Sequence, residues 1–153
     1  MAPAEQFCTF YLDGLLFGVE VCRVQEVIRA QEMTRVPLAP PVVEGLINLR
    51  GQIVTTIDLR RRLELQPRPS GEPPMNIVVR TDDGPVSFLI DRVGDVLEVP
   101  RGRCEPPPET IQGIARELIR EVCKLDGQVL LLLDTDKAAD VHADTGMYGR
   151  AVH

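Results

Sequence analysis

Histidine is almost absent from this sequence of 153 residues, which removes most histidine-based active sites from consideration. The two histidines, His142 and His153, both lie near the C-terminus. A Ser/His/Asp triad, a histidine general base or a histidine-bound metal would have to be built from these two residues. Carboxylate or thiol chemistry stays open, with Asp91, Asp95 and Cys123 as candidate groups for a small β-barrel enzyme.

Signatures of metal and nucleotide sites are also missing. The four cysteines are Cys8, Cys22, Cys104 and Cys123, so no Cys-x-x-Cys pair exists to support a thiolate zinc site. Neither the P-loop pattern nor the Gly-x-Gly-x-x-Gly pattern of dinucleotide-binding proteins occurs. We therefore predict no cofactor and no metal. We expect the cysteines to be reduced thiols that pack as small apolar side chains.

Long apolar runs and an excess of positive charge are lacking as well. The longest apolar run, residues 129–133, is far shorter than the roughly 20 residues that span a bilayer. The first residues lack the basic and apolar regions of a signal peptide, so we expect a cytoplasmic protein without membrane insertion. The 17 basic and 23 acidic residues give a net charge of −6, which argues against a nucleic-acid partner.

The pattern that the sequence does have is that of β-strands. Its 13 prolines and 12 glycines separate short apolar or alternating runs, and Asp-Gly dipeptides at 13–14 and 83–84 indicate hairpins. This is typical of an all-β barrel or sandwich with short helices, not of alternating βαβ units. The predicted strands cover residues 7–12, 15–21, 52–57, 76–81, 86–90, 95–99, 118–125 and 128–133.

Few segments have the pattern of a helix. The spacing of apolar residues predicts a short helix over residues 22–28. Asp58 and Asp134 are each positioned to cap a helical turn that follows them. The basic triplet Arg60-Arg61-Arg62 is expected to lie on the solvated face of the first of these turns.

Two shifts of the chain against itself reveal an internal repeat. A shift of 69 residues places 23–28 on 92–97, and a shift of 76 places 51–58 on 127–134. Each match is short, but the two occur in the same order on either side of a proline-rich stretch. The repeat predicts two related β units.

The predicted organisation is one domain over residues 6–139. Its approximate units, 7–65 and 76–139, are joined by a proline-rich loop over residues 66–74. A unit of this size buries a marginal core alone, so the two units are expected to pack together. Their seam is a natural place for a binding groove. Residues 140–153 lack apolar periodicity and are predicted to form a disordered tail.

The chain resembles a known protein family in several short sequence motifs. Residues 45–60 read Gly-Leu-Ile-Asn-Leu-Arg-Gly-Gln-Ile-Val-Thr-Thr-Ile-Asp-Leu-Arg and resemble the signature segment of the CheW family, the bacterial chemotaxis adaptors. That signature is a glycine, then Asn-Leu-Arg-Gly, then an apolar strand that ends in Asp-Leu. Residues 17–20, 24–27 and 91–97 match the family too, and the resemblance covers about residues 6–139.

The resemblance implies both a fold and a function. The fold would be two five-stranded SH3-like β-barrels related by pseudo-twofold symmetry. The protein would be a non-catalytic adaptor in the cytoplasm, at membrane-associated receptor arrays. It would link the cytoplasmic tip of a chemoreceptor, a methyl-accepting chemotaxis protein, to the regulatory domain of the CheA histidine kinase. A CheW-like adaptor of a gliding or pilus-motility pathway remains an alternative, because the sequence does not identify the receptors.

Three residues are implied to orient the receptor site. In the family, a glutamate and an arginine at the positions of Glu26 and Arg50 pair near the receptor groove. A carboxylate and a guanidinium can pair through two hydrogen bonds and so orient the loop that also carries Asn48. The alternative reading is an ordinary surface ion pair that contributes little to stability.

Apolar side chains would complete that site. The family binds a receptor helix hairpin in an apolar groove, which suits Val27, Ile28, Leu49 and Val96. The alternative for each of them is simple core packing. Gly45 is expected to be a turn glycine with positive φ that also admits a receptor backbone, and Gly51 a turn glycine alone.

The second implied surface lies in the loop that begins at Cys104. In the family, the corresponding loop contacts the kinase and commonly offers a basic residue and an aromatic residue. Here Glu105 and Thr110 stand at those positions, and Ile111 is the candidate for the apolar role. The alternative is a polyproline spacer without a partner.

Overall fold

A computed structural model describes residues 4–29 and 31–141 of the chain, and eleven strands run through these residues. The strands are β1 (Ala4–Leu12), β2 (Leu15–Glu20), β3 (Val24–Arg29), β4 (Val43–Leu49), β5 (Gln52–Asp58), β6 (Met75–Thr81), β7 (Gly84–Ile90), β8 (Arg92–Pro100), β9 (Cys104–Glu105), β10 (Ile119–Leu125) and β11 (Gln128–Leu133). The helices are α1 (Leu59–Arg62), α2 (Ile114–Leu118) and α3 (Thr135–Ala139), with 3₁₀ turns at Val21–Arg23 and Arg101–Arg103. None of the helices in these two described ranges is long and apolar enough to cross a bilayer.

The strands form two sheets. Sheet A has the order β8-β1-β2-β11-β10-β9, and sheet B has the order β3-β6-β7-β5-β4. Neighbouring strands are antiparallel, except for the parallel pairs β2–β11 and β5–β7. This mostly-β fold of two sheets with short helices confirms the predicted fold class and is consistent with two SH3-like barrels.

The two sheets do not coincide with the two predicted units. The β1–β2 hairpin from the first half of the chain lies in sheet A with β8 to β11, and the β6–β7 hairpin from the second half lies in sheet B with β3 to β5. The halves have therefore exchanged their first hairpins. Two parallel pairings join each hairpin to the sheet of the other half: β2 pairs with β11, and β7 pairs with β5.

The repeat itself recurs in the strand register. The β4–β5 pairing shifts between Val43–Ile57 and Gly45–Thr56. The β10–β11 pairing shifts between Ile119–Leu133 and Glu121–Leu132, which are the same positions displaced by 76 residues. A β-bulge is a specific local device, so the two halves share their detailed backbone geometry as well as their sequence pattern.

Three apolar clusters hold the sheets together. The largest takes residues from both sheets, including Phe10 and Phe17 of sheet A and Ile57 and Phe88 of sheet B. A second cluster lies in sheet A around Phe7 and a third in sheet B. Because successive side chains of a strand point to opposite faces, a strand can contribute to the shared core and to a core of its own sheet.

The predicted helix over residues 22–28 is wrong: residues 24–29 form strand β3. This strand pairs with β6, and the register shifts between Val24 and Glu26. The extra residue of a bulge breaks the period-2 alternation and so imitates helical spacing. The predicted caps are present, because Asp58 accepts a hydrogen bond from the amide of Arg60 and Asp134 accepts one from that of Lys137.

The prediction of a solvated basic triplet is wrong for two of its members. Arg60 and Arg62 are 5% and 3% exposed, whereas only Arg61 faces solvent. The Arg62 guanidinium donates to the carbonyl oxygens of Ala138 and Lys137, at 2.9 Å and 2.7 Å. Buried arginines of this kind are tolerated because their donors find acceptors.

The C-terminal end of the described chain is packed. Val141 is 8% exposed and belongs to the shared core, two residues beyond the boundary expected for the second unit. The tail predicted for 140–153 therefore begins no earlier than residue 142. The rest of that prediction lies outside the described residues.

Two of the cysteines are bonded, contrary to the expectation that all four are reduced. Cys104 and Cys123 form a disulfide, whereas Cys8 and Cys22 are free. The bond arises because β9 and β10 place these two residues directly opposite each other. Their separation of 19 residues gives no such indication in the sequence.

Candidate functional site

The hairpin between β4 and β5 presents the Asn-Leu-Arg-Gly motif. Leu49 pairs with Gln52, and the two residues between them, Arg50 and Gly51, have φ angles of 51° and 87°. Positive φ at both central residues defines a tight hairpin turn, which explains Gly51 as predicted. The Gly51 amide donates to Asn48 Oδ1 at 2.9 Å. The asparagine of the motif therefore stabilises the turn that projects Arg50.

The structure brings Glu26 and Arg50 together as a forked pair. Arg50 Nη1 donates to Glu26 Oε1 at 3.3 Å, and Nη2 donates to Oε2. The hydrogen bonds from Arg50 hold the pKa of Glu26 below its usual value. The Arg50 side chain is 72% exposed and that of Glu26 is 20% exposed. The pair therefore orients the motif hairpin against β3 while it leaves the guanidinium accessible to a partner.

Two of the four predicted apolar contacts are exposed and equivalent to each other. Val27 lies on β3, an edge strand of sheet B, and Val96 lies on β8, an edge strand of sheet A. They are 38% and 58% exposed and are related by the 69-residue shift of the repeat. Large exposed apolar side chains on sheet edges are candidates for a partner contact.

The other two apolar candidates face inward. Leu49 is 9% exposed and packs with Ile47, Val54 and Val78. Ile28 is half-buried against the same cluster. For Leu49 the alternative of core packing is therefore the correct one, and Ile28 offers a partner only part of its side chain.

Gly45 is not a turn glycine. It is a buried residue of β4 whose φ angle is not positive. A Cβ atom at this position would lie 2.8 Å from the backbone oxygen of Thr34. Thr34 exchanges two backbone hydrogen bonds with Leu46, which fixes this close approach. The backbone that approaches Gly45 is therefore the protein's own, and the expectation of positive φ is wrong here.

Gly45→Ala is expected to lower the free energy of unfolding by about 1–3 kcal/mol, because the added methyl group overpacks against Thr34. Gly102→Ala is the matched control, since Gly102 has neither positive φ nor any atom within 4 Å of an added Cβ. Urea denaturation of both variants measures the difference. Equal stability of the two variants would mean that the Thr34 segment moves away at no cost.

The second predicted surface is only partly available. Glu105 is exposed and pairs with Lys124 at 3.4 Å, and Thr110 is exposed. Ile111 is half-buried and packs against the shared core, while its amide donates to the Pro108 oxygen at 3.0 Å. Ile111 therefore secures the loop in addition to any contact that it makes with a partner.

Two surface cavities lie elsewhere on sheet B. One of about 520 Å³ is walled by Val43, Ile57 and Val86 and rimmed by Asp82 and Asp83. The other, of about 590 Å³, lies beside Asn48. Neither includes Val27 or Val96, so the exposed valines do not line either cavity.

The groups proposed for an enzyme have other partners. Asp91 binds the guanidinium groups of Arg60 and Arg68, at 2.9 Å and 3.2 Å. Cys123 is fully buried and disulfide-bonded. Of the three candidates only Asp95 remains exposed. No group of three or more His, Cys, Asp or Glu residues suited to a metal ion occurs within residues 4–29 and 31–141.

Comparisons with known proteins agree with these features. The chain is 32% identical to the "Chemotaxis protein CheW" of Treponema pallidum (strain Nichols) over 136 residues, which cover 86% of this chain and 80% of that protein. It is 29% identical to the "Chemotaxis protein CheW" of Bacillus subtilis (strain 168), over 89% and 87% of the two chains.

A solved structure supports the same relationship. The scaffolding protein TtCheW from Thermoanaerobacter tengcongensis superimposes with a TM-score of 0.82 and 26% identity, covering 92% of this chain and 94% of that chain. The profile of the CheW-like domain matches residues 6–142. Because this match spans nearly the whole chain, the protein belongs to the CheW family.

Proposed function

We propose that the protein is a non-catalytic chemotaxis adaptor that couples the cytoplasmic tips of chemoreceptors to the CheA histidine kinase. The observation that carries the proposal is the exposed Glu26–Arg50 pair at the motif hairpin of a chain that matches its family over nearly all its length. The adaptor works in the cytoplasm, at membrane-associated receptor arrays. Its relatives are named as chemotaxis proteins and its structural neighbour as a scaffolding protein, which supports this role.

The receptor contact centres on the two edge strands β3 and β8. Glu26 orients Arg50, and Val27 and Val96 supply exposed apolar surface on the equivalent strands. Asn48 contributes by holding the turn, while Gly45 and Leu49 support the hairpin from inside. An accessible guanidinium and exposed valines are the kinds of side chain that an amphipathic receptor helix can contact.

The kinase contact uses the segment of Glu105, Thr110 and Ile111. Glu105 and Thr110 are exposed, and Ile111 presents part of its side chain. Holding receptor and kinase in register passes the signal through contacts, so no catalytic group is required of the adaptor itself.

Binding of the purified protein to a receptor-tip helix hairpin and, separately, to a CheA regulatory domain tests the proposal. We expect both partners to bind. Val96→Asp is expected to weaken receptor binding about tenfold or more, because a carboxylate replaces apolar contact surface. Val129→Asp is the matched control, since Val129 is 50% exposed on β11, which two strands separate from β8. If the protein fails to bind one of the two partners, the proposed coupling function is contradicted.

A further inference from the structure

The disulfide lies at the edge of sheet A, where the proposed kinase segment begins. Cys104 of β9 and Cys123 of β10 are directly opposed, with their Cα atoms 4.0 Å apart. Cys123 is fully buried, whereas Cys104 is half-buried. Both side chains lie on the same face of sheet A, against the Phe7 cluster, and Cys104 is the more exposed residue of the bonded pair.

The other ties on β9 are noncovalent: the Cys104 amide donates to the Arg101 oxygen, and Arg101 pairs with Glu121 of β10 at 3.1 Å. The strand has two residues, and its register with β10 consists of Glu105–Val122 and Cys104–Cys123. The next three residues are prolines, which have no backbone N–H to extend the ladder. The Glu105–Lys124 ion pair is exposed on both sides, so it adds little. The covalent bond is therefore the strongest constraint on this end of the segment.

The far end of the segment is fixed independently. Arg116 Nη1 donates to the oxygens of Pro108 and Ile111, at 2.7 Å and 3.2 Å. Breaking the disulfide would consequently remove the covalent constraint on residues 104–107, while residues 108–111 stay attached to α2. Glu105 would lose its fixed position relative to Thr110 and Ile111.

We propose that Cys104 and Cys123 form a site of reversible oxidative modification, at which a glutathione-type thiol and its disulfide control the strength of the kinase contact. The proposal rests on the proposed function, since the affected segment is the one assigned to CheA. Disulfides in a reducing compartment are usually transient, and either catalytic or redox-sensing; a bond next to a contact surface agrees with the second of these roles. Directly opposed positions bring the two thiols together whenever β9 pairs with β10, so the bond can form again after reduction.

The chemistry balances with glutathione as the co-reactant. A glutathione thiolate attacks Sγ of Cys104, the more exposed residue of the pair, the protein disulfide breaks, and Cys123 leaves as a thiolate that takes up a proton. A second glutathione thiolate then attacks the glutathione sulfur of the mixed disulfide and releases the Cys104 thiol. The protein disulfide gains two electrons and two protons, and two glutathione molecules become one glutathione disulfide. Oxidation is the reverse sequence.

The test compares the full chain in its two redox states. The protein is equilibrated with reduced glutathione or with glutathione disulfide, and alkylation followed by mass spectrometry measures the state of each cysteine. We expect the oxidised form to melt about 6–12 °C higher, because the bond closes a loop in the unfolded chain. We also expect it to bind the CheA regulatory domain about 5–10-fold more tightly than the reduced form.

Two variants make the outcome specific to this pair. Cys104→Ser is expected to bind the kinase like the reduced form under both conditions. Cys22→Ser is the control and should keep the full redox response, because Cys22 is a free, exposed thiol. Equal kinase affinity of the oxidised and reduced forms overturns the proposed redox regulation but leaves the adaptor role standing. Absence of kinase binding by both forms overturns the adaptor role and, with it, the proposed redox regulation.

Discussion

Replacing Asp91 with alanine is expected to lower the free energy of unfolding by about 3–5 kcal/mol, because it removes the carboxylate that two largely desolvated arginines share and leaves Arg60 only the more distant Asp13, at 3.9 Å. The side chains of Arg60 and Arg68 are 6% and 12% exposed, and both pair with the Asp91 carboxylate. Asp91 Oδ2 also accepts a hydrogen bond from the backbone amide of Asp13, at 2.9 Å. The cluster thus joins α1 and the proline-rich loop to the hairpin turn of sheet A.

Urea denaturation of Asp91→Ala and of a matched control measures this effect. Asp126→Ala removes a carboxylate that is 99% exposed and pairs with Arg103, so it should change stability by less than about 1 kcal/mol. A loss of stability that is equally small for Asp91→Ala would show that Arg60 and Arg68 reach solvent when their partner is removed.

The pH dependence of stability identifies the charge as the cause. Burial acts to raise the pKa of Asp91, but hydrogen bonds from Arg60 and the Asp13 amide and the nearby positive charges outweigh it and lower that pKa. A carboxyl group whose pKa is lower in the folded state makes its full contribution to protein stability above its unfolded-state pKa of about 3.9. This contribution is lost as the pH falls through the folded-state pKa. The stability gap between the native protein and Asp91→Ala should therefore narrow below about pH 4.

Arg50→Glu is expected to weaken binding of a receptor-tip hairpin about tenfold or more, while the protein stays folded. Arg50 forms the tip of the motif hairpin and its side chain is 72% exposed. A glutamate at this position faces Glu26, so the forked pair is replaced by repulsion between like charges. The melting temperature should change by less than about 3 °C, because exposed ion pairs contribute little to stability.

Two further variants separate the site from a general effect of charge. Arg103→Glu reverses a half-exposed arginine that pairs with Asp126 and should leave receptor affinity unchanged. The double variant Glu26→Arg/Arg50→Glu restores an opposite-charge pair between the hairpin and β3. Its receptor affinity should nevertheless stay low, because the guanidinium is no longer at the tip of the hairpin. Native affinity of a folded Arg50→Glu protein would remove Arg50 from the receptor site.

Features set by neighbouring residues were predictable from the sequence. Strand β11 runs over residues 128–133, as predicted, because an unbroken apolar run lies between a Gly turn and an aspartate cap. The caps at Asp58 and Asp134 involve amides two and three residues away. The Gly51 turn follows from the conformational freedom of glycine.

Features that depend on distant residues were not predictable. Arg60 reads as a solvated residue because its partner, Asp91, lies 31 positions further along the chain. The exchange of hairpins depends on the parallel pairings β2–β11 and β5–β7, which no local pattern encodes. The Glu26–Arg50 pair was implied by the family resemblance alone, since 24 residues separate its members. Leu49 and Val96 are both apolar strand residues, and only the packing distinguishes the buried one from the exposed one.

Capture of the CheA regulatory domain on an immobilised receptor-tip hairpin shows whether this protein bridges the two partners. The kinase domain is applied alone, with the native protein and with the Arg50→Glu variant. We expect retention of the kinase domain with the native protein and little retention in the other two cases. If the native protein binds each partner separately but never holds both at once, the partners compete for one surface, and the adaptor account is contradicted.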